Sequence, residues 1–537
     1  MNLIGNINAI PFRRFRGGGG VAPFPSIPGM IARYSALGLT NEQMATNPVW
    51  VDKTGNGHDL QLKNFSWKGM SGVGGYGDEI HQTFYKFTLD DYVLIASPPG
   101  AKHMNFTFRV TGLQPRNKLT LAFFGTTNTV YGTWNKDGIY TVDADIVEAG
   151  KPTYFYNGYG ATRGEFTIEI LPLYPGFILG DGVDDFAVTE KELNFEDTYT
   201  VYTAFVPFQN NPTRNMILCG ANSKKTFSME YSSLVYVSFI AGNNYYINAD
   251  FVNGFNLFAC KRNGNNICIK NLLTNKVVTG TCGDWVENAG LYYLWKNATY
   301  ASFARVGIAG QIIANGHFTT DEEDENILNW HKKQYPWLFP DQAWTVVGKT
   351  NEDKDRATIT NITGNGNDLV LSNFGFIEGS GYNEEGQYAG YLVTDGVDDK
   401  IASSDFKMGK DFTIVGDWKF IDNKKSGTGL VKGSSFYIYN TMIGLDLYIN
   451  SGSVKNSLDG IKSINAACSD GRAYDRNWNE ILANTGNVVG SGGTLEVSSS
   501  GGRFDRIAFK NLAIYPRILS KDDCIKAYNY LQTLKAK

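Results

Sequence analysis

Three carboxylates within five residues can hold a hard cation, and this chain writes that set twice, as DGVDD at 181–185 and again at 395–399. Asp181, Asp184 and Asp185 form the first set; Asp395, Asp398 and Asp399 form the second. Oxygen ligands at this density suit calcium. The same five residues also spell a tight turn, because glycine takes positive φ without steric cost and aspartate caps neighbouring amides. Both readings are open at this level. One makes calcium a cofactor; the other needs none.

Other chemistry is sparse. The run DEEDE (321–325) opens a predicted helix, where carboxylates meet the positive end of the helix dipole. Five histidines (His58, His81, His103, His317 and His331) show no ligand spacing, and VSSSGG (497–502) is a loop without the GxSxG pattern. Six cysteines contain no CxxC pair, which argues for free thiols, although Cys260 and Cys268 flank a turn that a disulfide could close. These features point to a chain that is not an enzyme. Aromatic and amide mixtures occur in FIAGNNYYINAD (239–250) and VENAGLYYLWKNATY (286–300). Tyr245, Tyr292 and Trp295 are therefore candidates for a glycan platform, while alternating aromatics of this kind also build sandwich cores.

The N-terminal stretch IPFRRFRGGGGVAPFPSIPGM (10–30) is either a flexible tail or an anchor. As an anchor, Phe12, Arg13, Arg14, Phe15 and Arg16 would dock on another protein, and the four glycines would free the domains behind it. Formal net charge is −4 over 537 residues, which gives no footprint for nucleic acid or an anionic membrane. No run approaches the ~20 apolar residues of a membrane span. The first residues lack the order of a secretory signal, so the expectation is a cytoplasmic protein or one released with virions by lysis.

Behind these residues stands a duplicated framework. DKTGNGHDLQLKNF (52–65) precedes the first DGVDD, and TNITGNGNDLVLSNF (360–374) precedes the second. TYTVYTAFVPF (198–208) and DFTIVGDWKF (411–420) follow as alternating strands, then FACKRNG (258–264) and AACSDGR (466–472). Each copy closes on a helix, the first opening with the capping box Thr319-x-x-Glu322 and the second with Ser520-x-x-Asp523. From Thr54 to Asp181 is 127 residues, whereas from Thr363 to Asp395 is 32. The excess, near 77–175, alternates with turns every ~8–12 residues, as a β-sandwich does. It is expected to be a guest domain in a loop of the first copy. YPWLFPDQ (335–342) is expected to hinge the two copies.

The order of these motifs resembles the laminin-G-like, concanavalin A-like jelly-roll superfamily, in the versions found in phages and prophages of gut bacteria. EFTIEILPLYPGFILGDGVDD (165–185) is similar to a junction in that group. The resemblance implies an all-β fold of two tandem jelly-roll sandwiches, the first interrupted by a small β-sandwich, each closed by a short helix. The implied units are an arm at 1–29, a first jelly roll at 30–76 plus 176–338, the insert at 77–175 and a second jelly roll at 342–537. DGVDD would be a corner between an edge strand (FIL, YLV) and the next strand (FAV, KIA). The resemblance further implies a virion structural protein of head-fibre, capsid-decorating or tail-fibre type. Its expected partners are other virion proteins, reached through the arm, and bacterial-surface glycans, with no nucleic acid and no membrane, in a homo-oligomer. Calcium is common in the superfamily. The alternatives are a bacterial carbohydrate-binding adhesion protein and, from another class, a glycoside hydrolase.

Overall fold

The computed structural model describes residues 24–536, except 77–82, 88–91, 97–101, 114–117, 124–128, 147–152, 158–164, 209–215, 222–226, 232–234, 242, 251–253, 285–287, 297–302, 422–427, 434–435, 441–443, 450–455, 460–463, 483–490, 498 and 501–502. The fold is all-β: two tandem sandwiches, the first interrupted by a smaller one, with few helices. No helix among the described residues is long and apolar enough to cross a membrane.

Strand order carries the duplication into space. One sheet of the first sandwich runs Lys276–Thr281, Asn266–Asn271, Asn256–Asn263, Thr198–Pro207, Arg305–Asn315, Ile178–Asp181, Gly72–Val73, and Met30–Ser35 also pairs with Arg305–Asn315. The matching sheet of the second runs Glu480–Leu482, Arg472–Asp475, Ile464–Cys468, Thr413–Phe420, Ile507–Tyr515, Tyr391–Val393, Gly381–Asn383, with Gln342–Thr345 on Ile507–Tyr515. The opposing sheets also agree strand for strand, from Val49–Trp50 to Asn243–Ala249 in the first and from Thr358–Ile359 to Asn456–Asp459 in the second. Alternation drives this layering: in Thr198–Pro207, Tyr199, Val201 and Phe205 enter the inter-sheet core, while Tyr202, Ala204 and Val206 face outward into a second cluster.

The guest domain spans Phe84–Phe87 to Phe166–Ile170 as two four-stranded sheets over its own aromatic core of Phe87, Phe108, Phe155 and Phe166. It leaves after Gly72–Val73 and returns at Ile178–Asp181, two strands that pair directly, Ile178 opposite Val73. The chain ends at the insertion point therefore lie side by side, so a guest adds little closure cost. The second sandwich closes the same gap with one 3-10 turn, Gly386–Tyr388.

Two expectations change here. The strands FIL and YLV are not edges: Ile178–Asp181 sits between Arg305–Asn315 and Gly72–Val73, and Tyr391–Val393 sits between Ile507–Tyr515 and Gly381–Asn383. The short glycine-bearing strands cover them. The segment after the first closing helix is no open hinge. Tyr335, Trp337, Leu338 and Phe339 are buried in a cluster shared with Trp478, Tyr515, Tyr528 and Tyr530 of the second sandwich. Tyr515 donates its hydroxyl hydrogen to the Trp337 carbonyl at 2.9 Å.

Three helices are described: α1 (Asn41–Thr46), α2 (Asp321–Gln334) and α3 (Lys521–Leu531). The capping box of α2 falls one residue later than expected, on Thr320 and Glu323. Thr319 is buried and engaged with Thr200, Tyr202 and Asp324, which leaves Thr320 to cap. α3 is capped by Ser520 with Asp523, as its sequence predicts. Cys260 and Cys268 lie on neighbouring strands with Cys260 opposite Ile269, so their side chains point to opposite faces, and no disulfide joins them.

Candidate functional site

The two DGVDD segments fold alike. Each leaves one sheet and enters the other, so each is a corner of its sandwich. Gly182 (φ +79) and Gly396 (φ +75) supply the left-handed step that the turn requires. Asp181 accepts the amides of Val183 (2.7 Å) and Asp184 (3.3 Å) on Oδ1, and Asp395 accepts those of Val397 (2.7 Å) and Asp398 (3.3 Å). Asp185 turns back to accept the Asp181 amide at 3.0 Å, and Asp399 the Asp395 amide at 2.7 Å. Both of these last carboxyls are fully buried. Burial pushes Asp185 up to about 7 and Asp399 up to about 6, because a charged carboxylate loses its water there.

A second loop clamps each corner. The Asn64 amide donates to the Asp184 carbonyl, and the Asn373 amide to the Asp398 carbonyl, both at 3.0 Å. Ser380 donates to Asp399 at 3.0 Å, and its oxygen accepts the Gly375 amide at 2.9 Å; Ser71 takes the Ser66 amide at the same distance. Within these loops Trp67 (φ +57) and Phe376 (φ +50) occupy equivalent positions in the left-handed region. A bulky side chain there costs ~1–3 kcal/mol of backbone strain, of the kind that collects at functional sites. Trp67 stacks on Phe65 at 5.2 Å, and Phe376 lies beside Tyr382 at 6.3 Å with the Arg356 guanidinium 5.0 Å from its ring. Both aromatic residues are half-buried. At the tips, Val183 is 71% exposed and Val397 68% exposed. Asp184 and Asp398 are the exposed carboxylates of each set. The site offers an aromatic edge, an exposed carboxylate and an apolar tip, twice.

Ligand oxygens of each acid set lie within 4.8 Å of one another. The turn occupies one oxygen of Asp181 and one of Asp185, so a cation at the corner would rely on Asp184, the remaining oxygens and water. In the second set the Asp395 amide and the Ser380 hydroxyl engage both Asp399 oxygens, so a cation there would rely on Asp398, Asp395 and water.

The aromatic platform does not form. Tyr292 and Trp295 are fully buried in the inter-sheet core. Trp295 stacks on Trp50 at 6.2 Å, meets Phe65 edge-on at 5.5 Å and donates its indole hydrogen to the Val306 carbonyl at 2.8 Å. Alternation in Tyr292–Leu294 points Tyr292 inward, and the left-handed turn at Trp295 (φ +61) folds its ring over the same core. Tyr245 lies on Asn243–Ala249 opposite Phe239, at the far end of that sheet; its side chain lies outside the described residues. The anchor residues Phe12, Arg13, Arg14, Phe15 and Arg16 also lie outside the described residues. Sequence reasoning singled out the acid sets but missed Trp67 and Phe376. Their signal was the shared spacing from the Asn-Phe pair, with aromatics three residues after Asn64 and Asn373.

No protein-family model matches the chain, and no curated protein matches it. Among solved structures, it is similar to the receptor-binding domain of botulinum neurotoxin mosaic serotype C/D, at 11% identity and a TM-score of 0.29, covering 64% of this chain and 85% of that one. It is similar to the binding domain of Paraclostridial Mosquitocidal Protein 1, at 10% identity and 0.27, covering 61% and 86%. It is also similar to the carbohydrate recognition domain of Emp47p, at 9% and 0.20, covering 27% and 84%. At these identities and scores the likenesses say nothing of ligand or activity.

Proposed function

We propose that the chain is a non-enzymatic display protein of a virion, of head-fibre, capsid-decorating or tail-fibre type, whose two corners grip a repeating bacterial-surface glycan. One observation carries this reading: both sandwiches hold the same corner with an exposed carboxylate, clamped by a loop that carries a strained aromatic in the left-handed region. Sugars bind to an aromatic edge together with hydrogen-bonding carboxylates and amides. A single such edge binds weakly. Two copies on one chain bind a polymer with an effective concentration that multiplies weak contacts by ~10²–10⁴ where the spacing fits. At the corners, the buried carboxyls Asp185 and Asp399 are engaged in holding the turn, which argues against an acid–base role for them.

The test compares long and short fragments of capsular polysaccharide on the full chain by isothermal titration calorimetry. Long fragments should bind at least tenfold more tightly than short ones. W67A/D184A or F376A/D398A alone should remove that advantage while leaving the short-fragment affinity of the other corner intact, on the same avidity arithmetic. Equal binding by the wild type and both corner variants would sink the reading. The virion assignment is tested separately, by mass spectrometry of purified particles from cells that make the full chain and a form lacking residues 1–23. The full chain should appear in particles, and the truncated form should not.

A further inference from the structure

Each sandwich has a cavity between the last turns of its closing helix and its opening strand; the outward sheet face floors the first, whereas Phe255, Leu273 and Leu328 of the first sandwich wall the second. In the second sandwich it measures about 280 Å³ and lies under Tyr530 and Leu534, beside Ala343 and Ile362. In the first it measures about 400 Å³ and lies under Trp330 and Gln334, beside Arg33 and Lys53. The register makes these counterparts. Lys53 donates its amide to the Arg33 carbonyl at 2.8 Å, as Ile362 does to that of Ala343 at 2.9 Å. Arg33 and Ala343 occupy the same step opposite the long strands Arg305–Asn315 and Ile507–Tyr515. The duplication thus supplies its own control: two apolar positions in one copy are two cations in the other.

The difference has a physical consequence. Ala343 and Ile362 are buried under the joint between the sandwiches, with Phe255 and Phe339 on the same cavity. Arg33 and Lys53 have no such cover. Neither forms an ion pair among the described residues, and the buried Nε of Arg33 has no hydrogen-bond partner. Desolvation by burial depresses the Arg33 pKa, with Asp52 only partly opposing it. The Asp52 carboxylate is engaged by the Arg33 amide and by Thr54. Among the described residues, no carboxylate lines the cavity. Its other facing groups are neutral: burial lowers His331 to about 4, and its Nδ1 donates to the Ile327 carbonyl, while burial raises Tyr34, Tyr202 and Tyr335. The indole nitrogen of Trp330 is a second buried donor without a partner. The walls are apolar, with Leu257, Ala309 and Ile312 from the sheet and the Phe24 ring packed on Trp330 at 5.0 Å and under Arg33 at 4.2 Å. An apolar box with a positive rim and two unanswered donors calls for a ligand with an apolar body and one negative end. The arm preceding Phe24 carries three arginines, the same sign as the rim, and is the wrong match.

We propose that the first-sandwich cavity binds a small amphipathic carboxylate, its alkyl or aryl body in the box and its carboxylate on Arg33 with Lys53. This goes beyond the corner reading and uses none of its residues. The full chain is titrated with octanoate and with octanol, its neutral match, by calorimetry and by NMR of tryptophan indole N–H signals. W330F identifies the Trp330 signal. Octanoate should bind more tightly than octanol and shift the Trp330 signal. R33M should weaken octanoate at least about tenfold and leave octanol unchanged, because it removes the charge and keeps an apolar side chain over the Phe24 ring. Equal binding of acid and alcohol, an octanoate affinity indifferent to R33M, or no octanoate binding at millimolar concentration would each overturn the proposal.

Discussion

Asp185 and Asp399 show how one residue type takes opposite roles within five positions. Asp181 and Asp395 stay half-exposed and accept turn amides, whereas Asp185 and Asp399 are sealed behind the clamp loops. A carboxyl whose folded pKa lies above its unfolded value of 3.8 holds its proton more tightly in the native state. Its stabilising contribution is complete below pH ~4 and is lost as pH rises through about 6 for Asp399 and about 7 for Asp185. The double variant D185N/D399N keeps an acceptor for each amide but has nothing to ionise. Its melting temperature should fall less between pH 5 and pH 8 than that of the wild type; parallel curves in thermal unfolding would refute the assignment. D399A should cost ~1–3 kcal/mol at pH 4, because the Asp395 amide loses its acceptor, and less at pH 8, where the wild type carries a buried charge.

At the scale of elements, the closing helices show that one architecture accepts two kinds of fastening. Under α2, Asp324 is buried and accepts from Lys261 at 2.7 Å, Lys270 at 3.1 Å and the Tyr202 hydroxyl at 2.7 Å. Lys261 lies opposite Thr200, and the equivalent residue opposite Thr413 is Cys468. The partner of Cys468 is Cys524 of α3, four residues after its cap, as Asp324 is four after Thr320. Thr200 and Thr413 do the same work in both copies, donating to the carbonyls of His317 and Arg517 and accepting the amides of Thr319 and Leu519. A buried ion pair in one copy is therefore a hydrogen-bonded cysteine pair in the other. Breaking a buried pair leaves a stranded charge, while replacing both partners by apolar groups is close to neutral. D324N should destabilise by ~3–5 kcal/mol in urea unfolding, and the double variant K261M/D324L should recover most of that loss. A double variant no more stable than D324N would show that the ion pair itself is required.

Over the whole molecule, α3 joins all three sandwiches. Asn529 accepts from the Thr107 hydroxyl at 2.9 Å and donates to the Pro172 carbonyl at 3.2 Å, which ties the guest domain to the last helix of the chain. Trp478 donates to the Thr141 hydroxyl at 3.3 Å from the same side. On its other face Tyr530 accepts the Phe255 amide from the first sandwich. The guest is thus fixed, and both corners belong to one body. N529A should remove ~1–3 kcal/mol from the guest's attachment. Differential scanning calorimetry should then resolve an earlier transition for the guest, with faster amide exchange in Lys102–Thr111. A single unchanged transition would mean that Asn529 carries none of the coupling.

By itself, the sequence determined the features written in short-range pattern. The duplication, the guest domain, the turn chemistry of DGVDD and the cap of α3 all follow from motif order, period-two alternation and local hydrogen-bonding preference, which act over a few residues. Tertiary structure decided what covers each face. Alternation shows that Tyr292 and Trp295 belong to a sheet but not which side water reaches, and packing placed both inside. Thr319 and Thr320 fit the capping pattern equally until Thr200, more than a hundred residues away, claims Thr319. The prolines of YPWLFPDQ suggest a hinge, yet its aromatics are buried because two sandwiches and a helix converge on them. Burial depends on contacts between distant segments, and no local pattern encodes which of two equally apolar faces will meet another domain.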